Sequence, residues 1–335
     1  MSELVLVTQQ EFDKAAEIFR AATDVTCEPA PADEATLAAA IAARGARAAI
    51  VGVAPYRGPL YEALRKPGGA LLARFGVGHD GINKDLARER GIIVTNTPGV
   101  LDQSVAEHTL WLMGSLARCV AQSHEALRAG KFAGQTGTEL HGKTLGILGF
   151  GNIGRRVAGM AHFGLGMNVI SFVRGPQDCR VDAFAALAAS GVVRYAASVE
   201  EVLRQSDVVS IHLPANASTQ RFVNAERLAW LKSSALLLNT ARGVVLDEVA
   251  LFDALVAHRL AGAALDVFAV EPYVPAQPDK DLRTLDNVVL TAHIGSNTRE
   301  ANARMAKGAL ENVRNFFAGR LDRLARVDLP PPGKN

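Results

Sequence analysis

The sequence predicts an α/β protein built on parallel sheets. Short apolar runs of the strand type alternate with helical stretches along the 335-residue chain, and this alternation is typical of parallel α/β architecture rather than of all-helical or all-β proteins. An apolar content of 49% lets a chain of this length bury the cores of two domains of ordinary size. A glycine-rich segment, GFGNIG, lies near the start of a second strand and helix series in the middle of the chain.

Composition excludes several classes of function. The formal net charge is only +2, with both signs interspersed, so the chain has no basic face for nucleic acid. The amino terminus lacks the basic flank and apolar core of a signal peptide, and no uncharged run approaches the roughly 18 residues of a membrane helix. No CxxC pair or Cys/His spacing predicts a metal site. The three cysteines are expected to be unpaired thiols in the cytoplasm: Cys27, Cys119 and Cys179.

The first third of the chain predicts four strands and a helix. The strands are the apolar runs ELVLV, AAIVGV, ALLARFGVG and GIIVTN, each of them short and several of them bounded by glycine. The helix is predicted between Glu11 and Ala22. Together these elements are interpreted as a first lobe.

A long helix is predicted to leave this lobe and to end at Gly130. Ser104 and Glu107 have the spacing of a capping box, and apolar residues recur at helical intervals after them. A new βαβ series then begins with TLGILGFGNIG and continues to VVLTAHIGS. A final amphipathic helix is predicted over residues 298–318, before Gly319.

The segment TLGILGFGNIG fits the pattern G-x-G-x-x-G with Gly149, Gly151 and Gly154. It follows an apolar strand and opens a helix, which is the context that a dinucleotide-binding loop requires. Glycines permit a tight turn and close approach of the backbone to a pyrophosphate, and the helix amino terminus offers free N–H groups. We therefore predict a dinucleotide site, and the alternative is a glycine-rich turn without a ligand.

The second strand of this series, MNVISFVRG, ends in Val173 and Arg174. Dinucleotide sites of this kind usually place an acidic residue about 20 positions after the glycine loop, where it binds the adenosine ribose hydroxyls. An arginine can instead pair with the 2′-phosphate of NADP(H) through two hydrogen bonds. The sequence therefore favours NADP(H) over NAD(H). The alternative is that Arg174 stacks on the adenine or faces solvent while Val173 tolerates NAD(H).

Four later strands each end in polar residues. They are the runs VVSIHLP, ALLLNTARG, GAALDVF and VVLTAHIGS. Ligands of open α/β sheets bind beyond the carboxyl ends of the strands, which meet at one edge. We therefore expect one site that contains the polar residues of these ends: His212, Asn239, Thr240, Arg242, Asp266 and His293.

Three residues in this part of the chain predict acid–base chemistry on a carboxylic acid. A histidine such as His293 can donate or accept a proton at a carbonyl or hydroxyl group. Glu271, in DVFAVEP, is the nearest candidate partner, since a carboxylate on the far ring nitrogen fixes the tautomer and makes an imidazole more basic. Arg242 is suited to holding a carboxylate. Together with a nicotinamide, this set predicts the reversible reduction of a 2-oxo acid.

The segments GFGNIG, NTARG, LDVFAVEP and TAHIGS, in that order, resemble the D-isomer-specific 2-hydroxyacid dehydrogenases. The resemblance covers nearly the whole chain, because RFGVGHDGIN and VTNTPGVLDQSVAEHT resemble substrate-lobe motifs of the same family. It implies two Rossmann-like domains, with a dinucleotide-binding domain at residues 102–295 inserted into a discontinuous substrate domain at residues 1–101 and 296–335. It also implies a homodimer joined through the nucleotide domain, with the long helix from Asp102 as a contributor.

The resemblance implies roles for the residues named above. Arg242 would hold the carboxylate and carbonyl of the substrate, Glu271 would tune His293, and His293 would pass the proton. The substrate carboxylate would also meet groups of the first lobe: Val77, Gly78 and Asn96. Asp266 would bind the nicotinamide carboxamide. Other cofactor contacts would come from the glycine loop and the strand ends: Asn152, Ile153, His212, Pro214, Thr240, Ala241, His293 and Gly295.

Three alternatives remain open at this point. A dinucleotide-sensing interaction protein, similar to the C-terminal-binding co-repressors, is disfavoured because the set of Arg242, Glu271 and His293 is complete. Formate dehydrogenase would require glutamine in place of Glu271, and S-adenosylhomocysteine hydrolase does not match the order of the motifs.

The substrate is expected to be small, such as glyoxylate, hydroxypyruvate or pyruvate. Arg57 or Arg74 could receive a second anionic group or face water.

Overall fold

The computed structural model describes residues 2–172 and 186–329. The chain forms two units, of which one combines Met1–Leu101 with Ser296–Asn335 and the other is Asp102–Gly295. Within these described residues, each unit contains one sheet, and every strand pair in both sheets is parallel. The predicted α/β class with two parallel sheets is therefore confirmed. Val173 and Arg174, which carry the expected NADP(H) preference, lie outside the described residues.

The first unit is built on a five-stranded sheet in the order β2-β1-β3-β4-β5. Its strands are β1 (Glu3–Thr8), β2 (Val25–Ala30), β3 (Ala48–Val51), β4 (Ala70–Arg74) and β5 (Ile92–Thr95). The helices between them are α1 (Gln9–Lys14), α2 (Ala16–Arg20), α3 (Glu34–Arg44), α4 (Pro59–Leu64) and α5 (Lys84–Glu89). Every residue of β3 and β4 is buried, as expected for central parallel strands that are covered on both faces.

The predicted single helix over residues 11–22 is wrong, because the structure has two short helices there. The backbone of Ala15, with φ −146°, separates α1 from α2. The rings of Phe12 and Phe19 stack with centroids 5.6 Å apart, whereas seven residues of continuous helix would separate them by about 10 Å along the axis. The break therefore lets both rings stack in the core, where they are 4% and 1% exposed.

The second unit is built on a seven-stranded sheet in the order β12-β11-β10-β9-β6-β7-β8. Its strands are β6 (Thr144–Leu148), β7 (Asn168–Ser171), β8 (Arg194–Tyr195), β9 (Val208–Ile211), β10 (Leu236–Asn239), β11 (Gly262–Leu265) and β12 (Val288–Leu290). Its helices include α6 (Asp102–Ala117), α7 (Val120–Arg128), α8 (Asn152–Leu165), α9 (Val199–Gln205), α10 (Ala225–Leu228) and α11 (Glu248–Val256). Strand order reverses between β6 and β9, and open α/β sheets bind ligands beside such a reversal.

The long helix predicted to end at Gly130 is also divided in two. Cys119, with φ +52°, separates α6 from α7, and a non-glycine residue in this conformation cannot continue a right-handed helix. The predicted capping box is wrong as well, because α6 already begins at Asp102 and Ser104 lies within its first turn.

The final helix is confirmed as α12 (Arg299–Phe317), which packs in the first unit. The Thr298 hydroxyl accepts a hydrogen bond from the Ala301 N–H at 3.1 Å and caps the helix. Gly319 follows its end with φ +70°, a conformation that favours glycine after a helix. Over residues 2–172 and 186–329, none of the helices has the length and apolar character needed to cross a membrane.

Candidate active site

Five neighbouring strand ends carry the predicted residues of the second unit. The strands β12, β11, β10, β9 and β6 stand side by side and are parallel, so the residues that follow them lie along one edge of the sheet. In this order the strand ends deliver His293, Asp266, the turn of Thr240 to Arg242, His212 and the glycine loop. The expectation of a common edge follows directly from this strand order.

The glycine loop has the geometry of an anion-binding turn. Gly149 has φ +98°, and a Cβ there would lie 2.6 Å from the carbonyl carbon of His212. A Cβ on Gly154 would lie 2.3 Å from the Gly149 carbonyl oxygen. No side chain caps the start of α8 at Asn152, so its first-turn N–H groups are available to an anion. These residues fit the pyrophosphate of a dinucleotide.

His212 is a neutral hydrogen-bonding group at this edge. Its Nε2 lies 2.8 Å from the Ser210 hydroxyl oxygen, and its backbone N–H donates to the Leu148 carbonyl at 2.7 Å. Burial lowers the pKa of His212 to about 4, so the ring carries no charge at neutral pH. It can therefore orient a bound ligand but cannot serve as an acid there. Pro214, two residues later, is exposed at the same strand end.

Asn239 closes the turn that presents Arg242. Its Oδ1 accepts from the Ala241 N–H at 3.1 Å, and its Nδ2 donates to the Arg242 carbonyl at 3.0 Å. The Arg242 guanidinium donates to the Ala241 carbonyl at 2.7 Å. The Thr240 hydroxyl lies 2.8 Å from that of Thr109 on α6. Asn239 is fully buried, so its part is to shape the turn and not to meet a ligand.

Gly243 brings this turn against the loop that carries Glu271. A Cβ on Gly243 would lie 1.8 Å from the carbonyl carbon of Phe268 and 2.1 Å from its oxygen. Glycine is therefore required here by close approach of two backbones. The contact fixes the Arg242 turn relative to the segment from Phe268 to Glu271.

Glu271 and His293 form a hydrogen-bonded pair. Glu271 Oε2 lies 2.6 Å from His293 Nδ1, and its Oε1 accepts from the Phe268 N–H at 3.0 Å. The backbone of His293 has φ +52°, and its N–H donates to the Asp266 carbonyl at 2.8 Å. The His293 side chain is 29% exposed and the Glu271 side chain is 30% exposed. His293 Nε2 makes no hydrogen bond within the part of the chain that the structure describes, so this nitrogen is available to a ligand.

Asp266 fastens the turn that presents His293. Its carboxylate accepts from the N–H groups of Ile294 and Gly295, both at 2.8 Å, and from the Thr291 hydroxyl at 2.6 Å. His108 Nε2 on α6 lies 3.3 Å from the same carboxylate. Burial raises the pKa of Asp266, but these hydrogen bonds outweigh burial and hold the pKa below its usual range. Asp266 is therefore an ionised anchor, with Oδ2 accepting one of these bonds and Oδ1 the others.

Sequence reasoning missed two residues that support this edge. His108 contacts both Asp266 and the Thr291 hydroxyl, the latter at 3.2 Å. Glu248 is 7% exposed and accepts from the Ala269 N–H at 2.6 Å, next to the Phe268 amide that Glu271 holds. Burial raises the pKa of Glu248, and the charges of Asp247 and Glu271 add to this. Glu248 is the first residue of α11, a position where acidic residues are common, so the sequence held no distinct signal for its contact.

In the first unit, Asn96 lies beside the Val77–Gly78 segment. These residues follow the neighbouring strands β5 and β4, and Asn96 Nδ2 donates to the Val77 carbonyl at 2.8 Å. Within the described residues, neither the Val77 nor the Gly78 N–H has a hydrogen-bond acceptor. The segment therefore presents two free amides at the carboxyl end of its sheet, an arrangement that suits an anion.

No group of three or more His, Cys, Asp or Glu side chains over residues 2–172 and 186–329 is arranged to hold a metal ion.

Comparisons with known proteins identify the family of this chain. Residues 110–295 match the statistical model of the family described as D-isomer specific 2-hydroxyacid dehydrogenase, NAD binding domain. The hydroxypyruvate reductase of Thermotoga maritima is 39% identical over 245 residues, which cover 72% of this chain and 76% of that protein.

Two solved structures are similar over nearly their whole length. The NADPH-dependent glyoxylate/hydroxypyruvate reductase of Sinorhizobium meliloti, in complex with NADP and malonate, is 28% identical with a TM-score of 0.78, over 95% of this chain and 94% of that one. The D-lactate dehydrogenase of Aquifex aeolicus, complexed with NAD and lactic acid, is 26% identical with a TM-score of 0.81, over 98% and 100%. The chain belongs to the D-isomer-specific 2-hydroxyacid dehydrogenases, oxidoreductases that use NAD(P) and act on the CH–OH group of a 2-hydroxy acid.

Proposed function

We propose that this chain interconverts a small 2-oxo acid and its D-2-hydroxy acid, with His293 and Glu271 as the proton relay and Arg242 as the carboxylate clamp. The observation that carries the proposal is the 2.6 Å contact between Glu271 Oε2 and His293 Nδ1. It occupies one ring nitrogen and leaves Nε2 to a ligand.

The second unit supplies the groups that a dinucleotide needs. We propose that the glycine loop and the first turn of α8 hold the pyrophosphate, since the loop has the required close approach and the helix start is uncapped. Thr240 and Ala241 are assigned to the cofactor beside His212 and Pro214. Asp266 and Gly295 are also assigned to the cofactor. Asp266 Oδ2 accepts the Gly295 N–H and retains the capacity to accept a hydrogen bond from the nicotinamide carboxamide. When bound, the cofactor supplies or accepts the hydride.

The chain's own residues perform the remaining steps. Arg242 donates paired hydrogen bonds to the carboxylate and carbonyl oxygen of the acid, which orients it. His293 Nε2–H donates to the same carbonyl oxygen and transfers its proton as negative charge develops there. Glu271 holds Nδ1–H and stabilises the charged imidazole. In the first unit, the Val77 and Gly78 amides are assigned to the substrate carboxylate, with Asn96 holding the Val77 carbonyl.

The decisive experiment is a reduction assay over a panel of 2-oxo acids with NADH and NADPH in parallel. We expect turnover of glyoxylate, hydroxypyruvate or pyruvate, followed by loss of absorbance at the dihydronicotinamide band. Tight dinucleotide binding without turnover of any acid would contradict the proposal and would favour a dinucleotide-sensing interaction protein.

We propose NADP(H) as the preferred cofactor, on the basis of Arg174 and of the NADPH-dependent relative. Replacing Arg174 by alanine is expected to raise the KM for NADPH by about tenfold, since a charge-assisted phosphate contact is lost, and to leave the KM for NADH unchanged. A wild-type preference for NADH would contradict the assignment of Arg174.

A cytoplasmic location stays a prediction from the sequence.

We also propose a homodimer joined through the second unit. Trp111 on α6 is 71% exposed and Phe163 on α8 is 76% exposed, and the two helices pack on each other. Phe132, in the segment without secondary structure after α7, is 99% exposed. Large exposed apolar side chains on neighbouring elements are typical of an interface. Trp111→Glu is expected to shift the mass measured by light scattering from dimer to monomer, whereas a wild-type monomer would contradict the proposal.

A further inference from the structure

The carbonyl oxygens of residues 75–78 all accept hydrogen bonds from groups inside the first unit. Arg74 donates to the first and the last of them, at 2.5 and 2.7 Å. The Thr97 N–H donates to the second at 3.0 Å, and Asn96 Nδ2 donates to the third at 2.8 Å. With the carbonyls held inward, the Val77 and Gly78 amides are left without an acceptor among the described residues.

Arg74 is the centre of this arrangement. It is the last residue of β4, it is 6% exposed, and its guanidinium also donates to the Val51 carbonyl at 3.1 Å. Gly76 permits the turn around it, with φ +134°. A guanidinium can hold several carbonyls at once because its donors form a rigid fork, whereas a lysine ammonium offers one point charge. Burial also shows that Arg74 does not face water, which was one of the alternatives open from the sequence.

We propose that Arg74 is a positioning residue for substrate binding, which fixes residues 75–78 so that the Val77 and Gly78 amides stay directed at the carboxylate of the 2-oxo acid. The inference rests on the proposed function of this chain. It gives Arg74 no contact with the substrate. Its contribution lies in geometry, because its hydrogen bonds to the loop carbonyls keep the two amides preorganised before the acid binds.

Two variants separate geometry from charge. Arg74→Lys keeps the positive charge but lacks the fork, and Arg74→Met removes both. We expect both to raise the KM for glyoxylate or hydroxypyruvate by about tenfold or more, because the paired hydrogen bonds from the guanidinium to the carbonyls of residues 75 and 78 are lost, while kcat and the affinity for NADPH stay near wild type. Arg47→Lys is the matched control, since Arg47 also donates to two loop carbonyls, Gly68 and Gly69, ahead of β4. It should leave KM unchanged.

Amide NMR of the full chain with NADP⁺, titrated with oxalate, gives a readout independent of turnover. In wild type the Val77 and Gly78 amide signals should shift on titration, and in Arg74→Lys the shift should require about tenfold more oxalate. Wild-type KM and wild-type shifts in Arg74→Lys would overturn the inference. Absence of shifts in the wild-type protein would instead overturn the assignment of these amides to the substrate, and so part of the proposed function.

Discussion

Replacing His293 by alanine is expected to lower kcat for 2-oxo acid reduction by about 10²–10⁴-fold, the usual contribution of a positioned general acid. The reason is the geometry at β12, where His293 Nδ1 is held by Glu271 at 2.6 Å and Nε2 is left for the substrate. Removal of the ring takes away the proton donor but leaves the glycine loop unchanged. Steady-state kinetics measure kcat, and a fluorescence titration with NADPH measures the affinity for the dinucleotide, which the intact loop should preserve.

His212 provides the matched control for this result, because it is a second histidine at an end of the same sheet. Its pKa of about 4 keeps it neutral, so it is not expected to act as an acid. His212→Gln should therefore change the KM for the dinucleotide more than kcat. If His293→Ala turned over at the wild-type rate, the proton relay would have to be assigned to other residues.

The order of the strand ends explains how much of the site was accessible from the sequence. Parallel strands deliver their following residues to one edge, so the sequence alone groups the polar endings that include His212 and His293. The glycine loop was accessible for the same reason, since its function depends on a local strand, turn and helix. Periodicity and spacing suffice when the chemistry depends on a local motif or on residues that directly follow parallel strands.

The contacts that hold these residues in place were not accessible in this way. His108 contacts Asp266, which lies 158 positions later in the chain, and Arg74 holds a loop whose only local sequence feature is its glycines. Both contacts depend on how side chains from separate elements pack, which no local pattern encodes. The helix breaks at Ala15 and Cys119 were missed for the same physical reason, because tertiary packing overrides helix propensity there.

Gly243→Ala is expected to lower kcat by about 100-fold or more and to lower the melting temperature. The added Cβ would lie 1.8 Å from the Phe268 carbonyl carbon, 2.1 Å from its oxygen and 2.3 Å from the Ala269 nitrogen. These are backbone atoms, so no change of rotamer relieves the overlap. Either the Arg242 turn or the loop to Glu271 must move, and a displacement of about 1 Å at a catalytic group costs on the order of 100-fold in rate.

The control for this variant is Gly159→Ala in α8, where a Cβ meets nothing within 4 Å. Alanine in a helix interior should stabilise the protein there by about 0.5–1 kcal/mol relative to glycine, with kcat unchanged. Comparison of kcat and of the melting temperature in the two variants separates the effect of the extra methyl group from the effect of the close approach. A Gly243→Ala enzyme with wild-type kcat would mean that the spacing between the Arg242 turn and the Glu271 loop does not control the reaction. The clamp and the relay would then act independently, and the contact at Gly243 would serve stability alone.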